Sequence, residues 1–301
     1  MIIIEGPDAA GKTTLVKWIR ENLELGVQKS YYPKVNQLSY YLHSSTIYGG
    51  FFQERYYLSE IVYPRFKKNR DAMEDWKQFL IEAAIMQNGP VILYLRPEKE
   101  TIIENLRSRG DDYISEEEVD DLLYWYDWAI ERSHVPHVKY DFKNDDIEEV
   151  LEEATALHID CIDEASPYRY FLSSGSVKGE GIMFIGEDPS DKSIGEGFIR
   201  AFISDKGSSA FLHESIAKAG IYDKEMPYFT NFGKGFDNDE DKLEILKNEI
   251  DYLNPRKIVC LDKKIHQKLG QGEYLEHPAY VKRFHSKDYE WYIEKLKELI
   301  N

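Results

Sequence analysis

The sequence predicts an α/β protein: a parallel sheet flanked by helices, followed by a second α/β domain. Three observations carry this. The chain opens on a β-branched run, Met1-Ile2-Ile3-Ile4, that turns through the glycine-containing stretch Gly6 to Gly11 into helically spaced apolar residues. Short apolar strands then alternate with helical stretches, the pattern of a parallel sheet covered on both faces. Beyond a Gly/Ser-rich stretch, Ser173 to Gly181, the alternation starts afresh.

Each element follows in order. Leu15, Trp18, Ile19 and Leu23 recur at helical spacing and predict a helix over Thr13–Leu25. A second helix is expected at Asp71–Met86, broken by Asn88-Gly89-Pro90, and Val91–Leu95 reads as a buried strand. Helices at Lys99–Ser108 and Glu116–Arg132, a strand at Val138–Asp141 and a helix at Asp146–Leu157 complete the first half. The Ser173–Gly181 stretch has the composition of a loop or linker. The second half shows strands at Ile182–Ile185 and Lys257–Leu261, with helices at Ala210–Ala219, Asp241–Leu253 and Asp288–Leu299.

At 301 residues the chain exceeds one small core, so two domains are expected, 1–160 and 175–301, with a boundary near residue 165. An apolar share of 42% and an aromatic share of 14% suit a protein with a large buried core. No apolar run reaches the roughly 20 residues that span a bilayer. The opening strand is too short for a signal peptide, so a cytoplasmic protein without a membrane partner is expected. Two distant cysteines, Cys161 and Cys260, exclude a disulfide framework and a four-cysteine metal site within one chain. A formal net charge of −17 argues against unspecific binding to polyanions. Local cationic stretches remain at Arg65–Arg70 and Lys282–Lys287.

Gly6-Pro7-Asp8-Ala9-Ala10-Gly11-Lys12-Thr13 fits the phosphate-binding pattern G-x-x-x-x-G-K-[ST] in full. The glycines admit backbone geometry that turns successive N–H groups inward. The helix beginning near Lys12 aims its positive end at the phosphates. Lys12 supplies a mobile charge for the β and γ oxygens and Thr13 a hydroxyl for magnesium. The phosphate-binding set is Gly6, Ala9, Ala10, Gly11, Lys12, Thr13 and Thr14. Asp8 would repel phosphates and so needs another task, such as accepting from a sugar hydroxyl.

Ile4 to Thr14 resembles the opening of thymidylate kinases. Two further segments are similar to that family: Glu54 to Tyr63, like its Asp-Arg-aromatic stretch, and Leu106 to Tyr113, like its lid. The resemblance spans residues 1 to about 155. It implies transfer of the ATP γ-phosphoryl group, with Mg2+, to a deoxynucleoside monophosphate. It assigns Asp8 to the acceptor sugar, Arg55 to the acceptor phosphate, Tyr56 to the acceptor, Arg107 and Arg109 to charge neutralisation, and Thr13 and Glu54 to the metal. Phosphoryl transfer is mostly positioning and charge neutralisation, which suits these residue types. Glu54 stands where the family usually has Asp, and Arg96 where an acidic residue is common.

In the second half, Gly186-Glu187-Asp188-Pro189-Ser190, Phe229-Thr230-Asn231, Ile258 to Asp262 and His277-Pro278-Ala279-Tyr280 together resemble the uracil-DNA glycosylase superfamily. The resemblance spans roughly residues 180 to 295. It implies that Glu187 or Asp188 activates water, Asn231 reads a base edge, His277 stabilises a departing base, and Phe198 or Phe202 stacks on it. Ser190 and Asp262 depart from the residues typical of active members.

Several functions stay open on this reading. One is a kinase for dTMP or a modified dUMP fused to a glycosylase-like module, a pairing that suggests a phage protein acting in the host cytoplasm. Another is a kinase acting on 5-hydroxymethyluracil within DNA, with the second half recognising the base. In the last, the second half is a non-catalytic interaction module. Nucleotides are the expected partners, with DNA and a second copy of the chain left open.

Overall fold

The computed structural model describes residues 1–23, 27–29, 38, 41–42, 52–68, 71–110, 113–165, 173–176, 181–188, 200–233 and 238–300. By their contacts the residues divide into two units. One comprises Met1–Gln37, Tyr48–Glu74 and Asn88–Asp160; the other comprises Leu38–Ile47, Asp75–Gln87 and Cys161–Asn301.

The first unit is built on a five-stranded sheet in the order β2-β3-β1-β4-β5. Its strands are β1 (Ile2–Glu5), β2 (Val27–Lys29), β3 (Phe52–Glu54), β4 (Val91–Leu95) and β5 (His137–Tyr140). Every pairing is parallel, and β1 is central, with Ile4 opposite Glu54 on one side and Leu93 on the other. All residues of β1 and β4 are buried, as expected of strands covered on both faces. The helices are α1 (Lys12–Asn22), α2 (Leu58–Lys67), α4 (Lys99–Arg109), α5 (Val119–Glu131) and α6 (Ile147–Ala165); α3 (Asp75–Ile85) belongs to the other unit. Leu15, Val16 and Ile19 of α1 join Ile2, Ile4, Leu93, Val138 and Leu151 in one core. Burying three such side chains stabilises by roughly 1.5–3 kcal/mol each.

The second unit has its own five-stranded sheet, β10-β9-β7-β8-β6. Its strands are β6 (Ser174–Gly175), β7 (Ile182–Gly186), β8 (Tyr228–Asn231), β9 (Lys257–Cys260) and β10 (Glu273–Tyr274). The pairs β7–β8, β7–β9 and β9–β10 are parallel, while β6 runs antiparallel on the edge. Its helices are α3 (Asp75–Ile85), α7 (Gly207–Lys218), α8 (Asp239–Leu253), α9 (Lys263–Leu269), α10 (Pro278–Phe284) and α11 (Glu290–Glu298). Met183, Ile185, Tyr228, Leu246, Ile250 and Cys260 form its main core cluster.

Several elements differ from the sequence-based expectation, which named neither the strands β2, β3, β8 and β10 nor the helices α2, α9 and α10. Ser174 and Gly175, read as linker, form the edge strand β6. Gly175 has φ 83°, and a Cβ there would lie 1.9 Å from the Pro227 carbonyl oxygen, so only glycine fits. The continuation of that stretch, 177–180, lies outside the described residues. The strand Tyr228–Asn231 carries no alternation; it is buried along its whole length. Helix α3 is buried from Gln78 to Ile85, and it packs on α7 and β6 of the second unit.

Candidate functional site

The first site forms where β1 ends. Parallel strands gather their carboxyl ends on one edge, and the turn from β1 into α1 lies at that edge. Gly6 takes φ 148° because a Cβ there would stand 2.5 Å from the Leu95 carbonyl oxygen. Ala9 and Gly11 also take positive φ, 63° and 92°, and the Ala10 amide closes the turn on Pro7 at 3.3 Å. Asn105 of α4 donates to the Ala9 carbonyl at 2.8 Å and holds the loop from outside. Thr13 and Thr14 are exposed in the first turn of α1.

Lys12 is only 5% exposed, and its ammonium group donates to the carbonyls of Gly6 and Pro7 at 2.5 and 2.6 Å. Burial, assisted by the Arg55 charge, pushes its pKa down to about 7, against the pull of Asp8, Glu5 and Glu54. Arg55 follows β3 with φ 59°, a conformation that costs a non-glycine residue of order 1 kcal/mol. Its amide donates to the Ile4 carbonyl at 2.9 Å, and its guanidinium pairs with Asp8 and lies 5.8 Å from the Tyr63 ring centre. Burial works to raise the Asp8 pKa, but the charges of Arg55 and Lys12 outweigh it and hold the carboxyl below its ordinary value.

Glu54, the last residue of β3, is buried beside β1, and its charge reaches Lys12. Asp8, Lys12, Glu54 and Arg55 are therefore brought together. The Tyr56 ring is buried at 1% exposure, and it is its amide that enters the site, donating to Glu5 at 2.6 Å. Arg107 and Arg109 are not gathered into the cradle. Arg107 forms a two-pronged pair with Glu116, both contacts at 2.6 Å, and Arg109 is exposed in the last turn of α4. Asp111 and Asp112 of the lid-like segment lie outside the described residues. Arg96 forms a two-pronged bond to Asp127 of α5, which also accepts from Tyr94 at 2.8 Å.

Three residues of this site escaped the sequence reading. Glu5 is fully buried and accepts from the Tyr56 amide and, at 3.0 Å, the Ser59 hydroxyl; burial raises its pKa despite these donors. A carboxylate ending an otherwise apolar strand was the available signal. Asn105 and Phe142 had none. Phe142 follows β5, and its ring meets a Cβ built on Gly11 at 3.0 Å.

The second site lies at the carboxyl ends of β7, β8 and β9. Gly186 ends β7, and a Cβ there would stand 2.6 Å from Asn231 Oδ1 and 2.7 Å from Cζ of Phe202. Asn231 ends β8 and is 6% exposed. The Asp188 carboxylate lies against the bare Cα of Gly233, while the Gly233 amide donates to the Glu187 backbone carbonyl at 2.7 Å. Asp262, after β9, caps α9 by accepting from the Lys264 and Ile265 amides at 2.8 and 3.1 Å. His277 caps α10, its Nδ1 accepting from the Ala279 amide at 3.1 Å. Burial lowers the His277 pKa against the opposing charges of Asp262 and Glu187. Glu187, Asp188, Asn231 and His277 thus share one sheet edge. Pro189, Ser190 and Phe198 lie outside the described residues.

The family model described as the uracil DNA glycosylase superfamily matches residues 173–300. A SPbeta prophage-derived uncharacterized protein, YorR, of Bacillus subtilis (strain 168) is 27% identical over 138 residues, covering 42% of this chain and 79% of YorR. The solved structure of YorR from Bacillus subtilis in complex with phosphorylated GDP aligns with 52% of this chain and 94% of its own at 21% identity, TM-score 0.45. That of deoxyadenosine kinase from M. mycoides with bound dATP aligns with 52% and 97% at 16% identity, TM-score 0.36. The first half thus carries a phosphate-loop sequence at the end of the central strand of a parallel sheet, and residues 173–300 are similar to the uracil DNA glycosylase superfamily.

Proposed function

We propose that the chain is an ATP-dependent phosphotransferase whose acceptor is a pyrimidine deoxynucleoside monophosphate, dTMP or a modified dUMP. The kinase part would occupy residues 1–160 and a base-binding glycosylase-like module residues 175–301. The observation that carries this reading is the pairing of Asp8 with Arg55 beside Lys12. A carboxylate inside a phosphate loop is tolerable when a cation holds it, and the same cation has further donors for an acceptor phosphate.

In this reading the amides of Ala9 to Thr14 and the Lys12 ammonium hold the ATP phosphates. The Lys12 side chain swings from the Gly6 and Pro7 carbonyls to do so. Asp8 accepts from the acceptor's sugar hydroxyl and Arg55 binds its phosphate. An acceptor phosphate oxygen attacks the γ phosphorus as the bond to the β-phosphate oxygen breaks, and ADP leaves. Arg107 and Arg109 neutralise charge once Arg107 releases Glu116. Thr13 and Glu54 would help to hold a magnesium ion, which would spread the developing charge. Among the described residues no three His, Cys, Asp or Glu side chains form a metal cluster of their own.

A second reading, phosphorylation of 5-hydroxymethyluracil within DNA, is favoured by one surface. Tyr280 and Phe284 of α10 are 50% and 63% exposed and flank Lys282 and Arg283 in sequence, in the helix that His277 caps. Aromatic rings interleaved with cations suit unstacked bases and phosphates.

The experiment offers the full chain γ-labelled ATP and magnesium with dTMP, hydroxymethyl-dUMP, or duplex DNA carrying 5-hydroxymethyluracil. Label in a free monophosphate supports the first reading. Label in DNA alone replaces it with the second. Transfer undiminished in Lys12→Ala overturns both.

A further inference from the structure

The second unit contains a buried polar chain that the reading above does not use. Phe202 takes φ 54°, a left-handed conformation unusual for a side chain of this size, so its surroundings must hold it there. Its carbonyl accepts from His213 Nε2 at 3.0 Å and from the Ser209 hydroxyl. His213 is fully buried, and its Nδ1 bonds the Tyr222 hydroxyl.

The proton positions follow from chemistry. A carbonyl cannot donate, so Nε2 carries the hydrogen. In a neutral ring Nδ1 is then an acceptor, and Tyr222 donates to it. Burial keeps the ring neutral, pushing its pKa down to about 3. One tautomer satisfies both partners, and the opposite tautomer would set a lone pair against the Phe202 carbonyl. Aromatic rings fix this arrangement in place: Phe79 of α3 stacks on Tyr222 at 4.4 Å, and Phe229 lies 4.9 Å from His213.

What is held in this way faces the sheet edge. The Phe202 ring and the Asn231 carboxamide converge over the bare backbone of Gly186 at the end of the central strand. Phe202 is only partly buried. A flat apolar face beside a carboxamide suits a planar heterocycle with an amide-like edge, which stacks on the one and hydrogen-bonds the other.

We propose that His213, oriented by Tyr222 and backed by Phe79, is a positioning residue that sets the Phe202 ring as one wall of a slot for a uracil-like base. The proposal rests on the base-binding reading of the second unit. It also gives α3, which the chain places between β3 and β4 of the other unit, a share in building that slot.

The test uses the full chain with free uracil and with a uracil-containing single-stranded oligonucleotide as probes. His213→Leu removes both hydrogen bonds. His213→Gln keeps a donor for Phe202 and an acceptor for Tyr222. Tyr222→Phe removes the donor to Nδ1 and leaves the bond to Phe202. Loss of the stacking wall is expected to weaken binding by about tenfold or more in His213→Leu, with substantial rescue in His213→Gln. Nitrogen NMR shifts of His213 report the Nε2–H tautomer in the wild type and also in Tyr222→Phe, where the Phe202 carbonyl still selects it. A merely structural histidine would leave binding by the folded variants unchanged, and that result overturns the proposal. Should His213→Leu fail to fold, His213→Asn, whose shorter side chain cannot span both partners, carries the same comparison. A wild-type chain that binds neither probe overturns the base-binding reading itself. Binding that survives both His213→Leu and Tyr222→Phe overturns only the positioning role.

Discussion

The guanidinium of Arg55 pairs with the carboxylate of Asp8, joining the residue that follows β3 to the loop that leaves β1. The parallel register explains the meeting: Ile4 lies opposite Glu54, so the residues that follow each strand emerge side by side. Arg55→Ala leaves Asp8 and the buried Glu5 without their nearest compensating guanidinium. Phosphoryl transfer is expected to fall by about 100-fold or more, the range seen when one preorganised charge donor is removed. Because Arg55 stands at φ 59°, Arg55→Gly should be more stable than Arg55→Ala by about 1 kcal/mol. Urea midpoints of the two variants check this, and equal midpoints would contradict the strain.

Burial of Lys12 costs the fold stability at neutral pH. Its pKa lies near 7 in the folded chain against an ordinary 10.5, so between these values the unfolded chain holds a proton that the folded chain lacks. Stability therefore rises with pH across that window. Lys12→Met is expected to flatten the rise, to raise the melting temperature at neutral pH without nucleotide, and to abolish transfer. Calorimetric melts at pH 7 and pH 9 would show it.

Gly6 and Gly11 make different predictions. Gly6→Ala sets a methyl group 2.5 Å from a backbone oxygen that cannot move aside, and should cost about 2 kcal/mol or more. Gly11→Ala meets the Phe142 ring at 3.0 Å, which can rotate away. Adding Phe142→Ala to Gly11→Ala should recover part of the lost stability; adding it to Gly6→Ala should recover nothing. Denaturation of the four variants separates the cases.

His213 predicts an acid-side signature. Its folded pKa is near 3 and its ordinary value is 6.5. Between these the unfolded chain binds the extra proton, so stability falls as pH drops through this window, by up to about 1.4 kcal/mol per unit. His213→Gln should flatten the curve between pH 4 and pH 6. A wild-type curve no steeper than the variant's would contradict a neutral buried imidazole.

Arg107 and Glu116 are paired on an exposed surface. If Arg107 neutralises charge during transfer, Arg107→Ala lowers kcat by about tenfold or more, while Glu116→Gln, which frees the arginine, does not lower it. Equal turnover in wild type and Arg107→Ala would remove Arg107 from the mechanism.

Much of this was legible because local chemistry dictated it. The strand-turn-helix around Gly6 to Thr13 is written in adjacent residues, and the helices at Lys99–Arg109, Gly207–Lys218 and Asp239–Leu253 follow apolar spacing. Asn231 and His277 came only through the resemblance to the glycosylase superfamily, while Glu187 and Asp188 were legible as strand-end residues. Glu5, Asn105, Phe142 and His213 were not, since each acts through a partner distant in sequence: Tyr56, Ala9, Gly11 and Phe202.

The sequence by itself determined the two α/β halves, the phosphate loop and the placing of Lys12 and Thr13 at a helix start, because these need only neighbours along the chain. Tertiary structure alone decided that Arg55 holds Asp8 and that Arg107 holds Glu116. It also decided that helix Asp75–Ile85, between two strands of the first sheet in sequence, packs within the second unit. That helix is buried over eight consecutive residues, so its own pattern names no preferred face, and only the shape of the surface it meets selects its place.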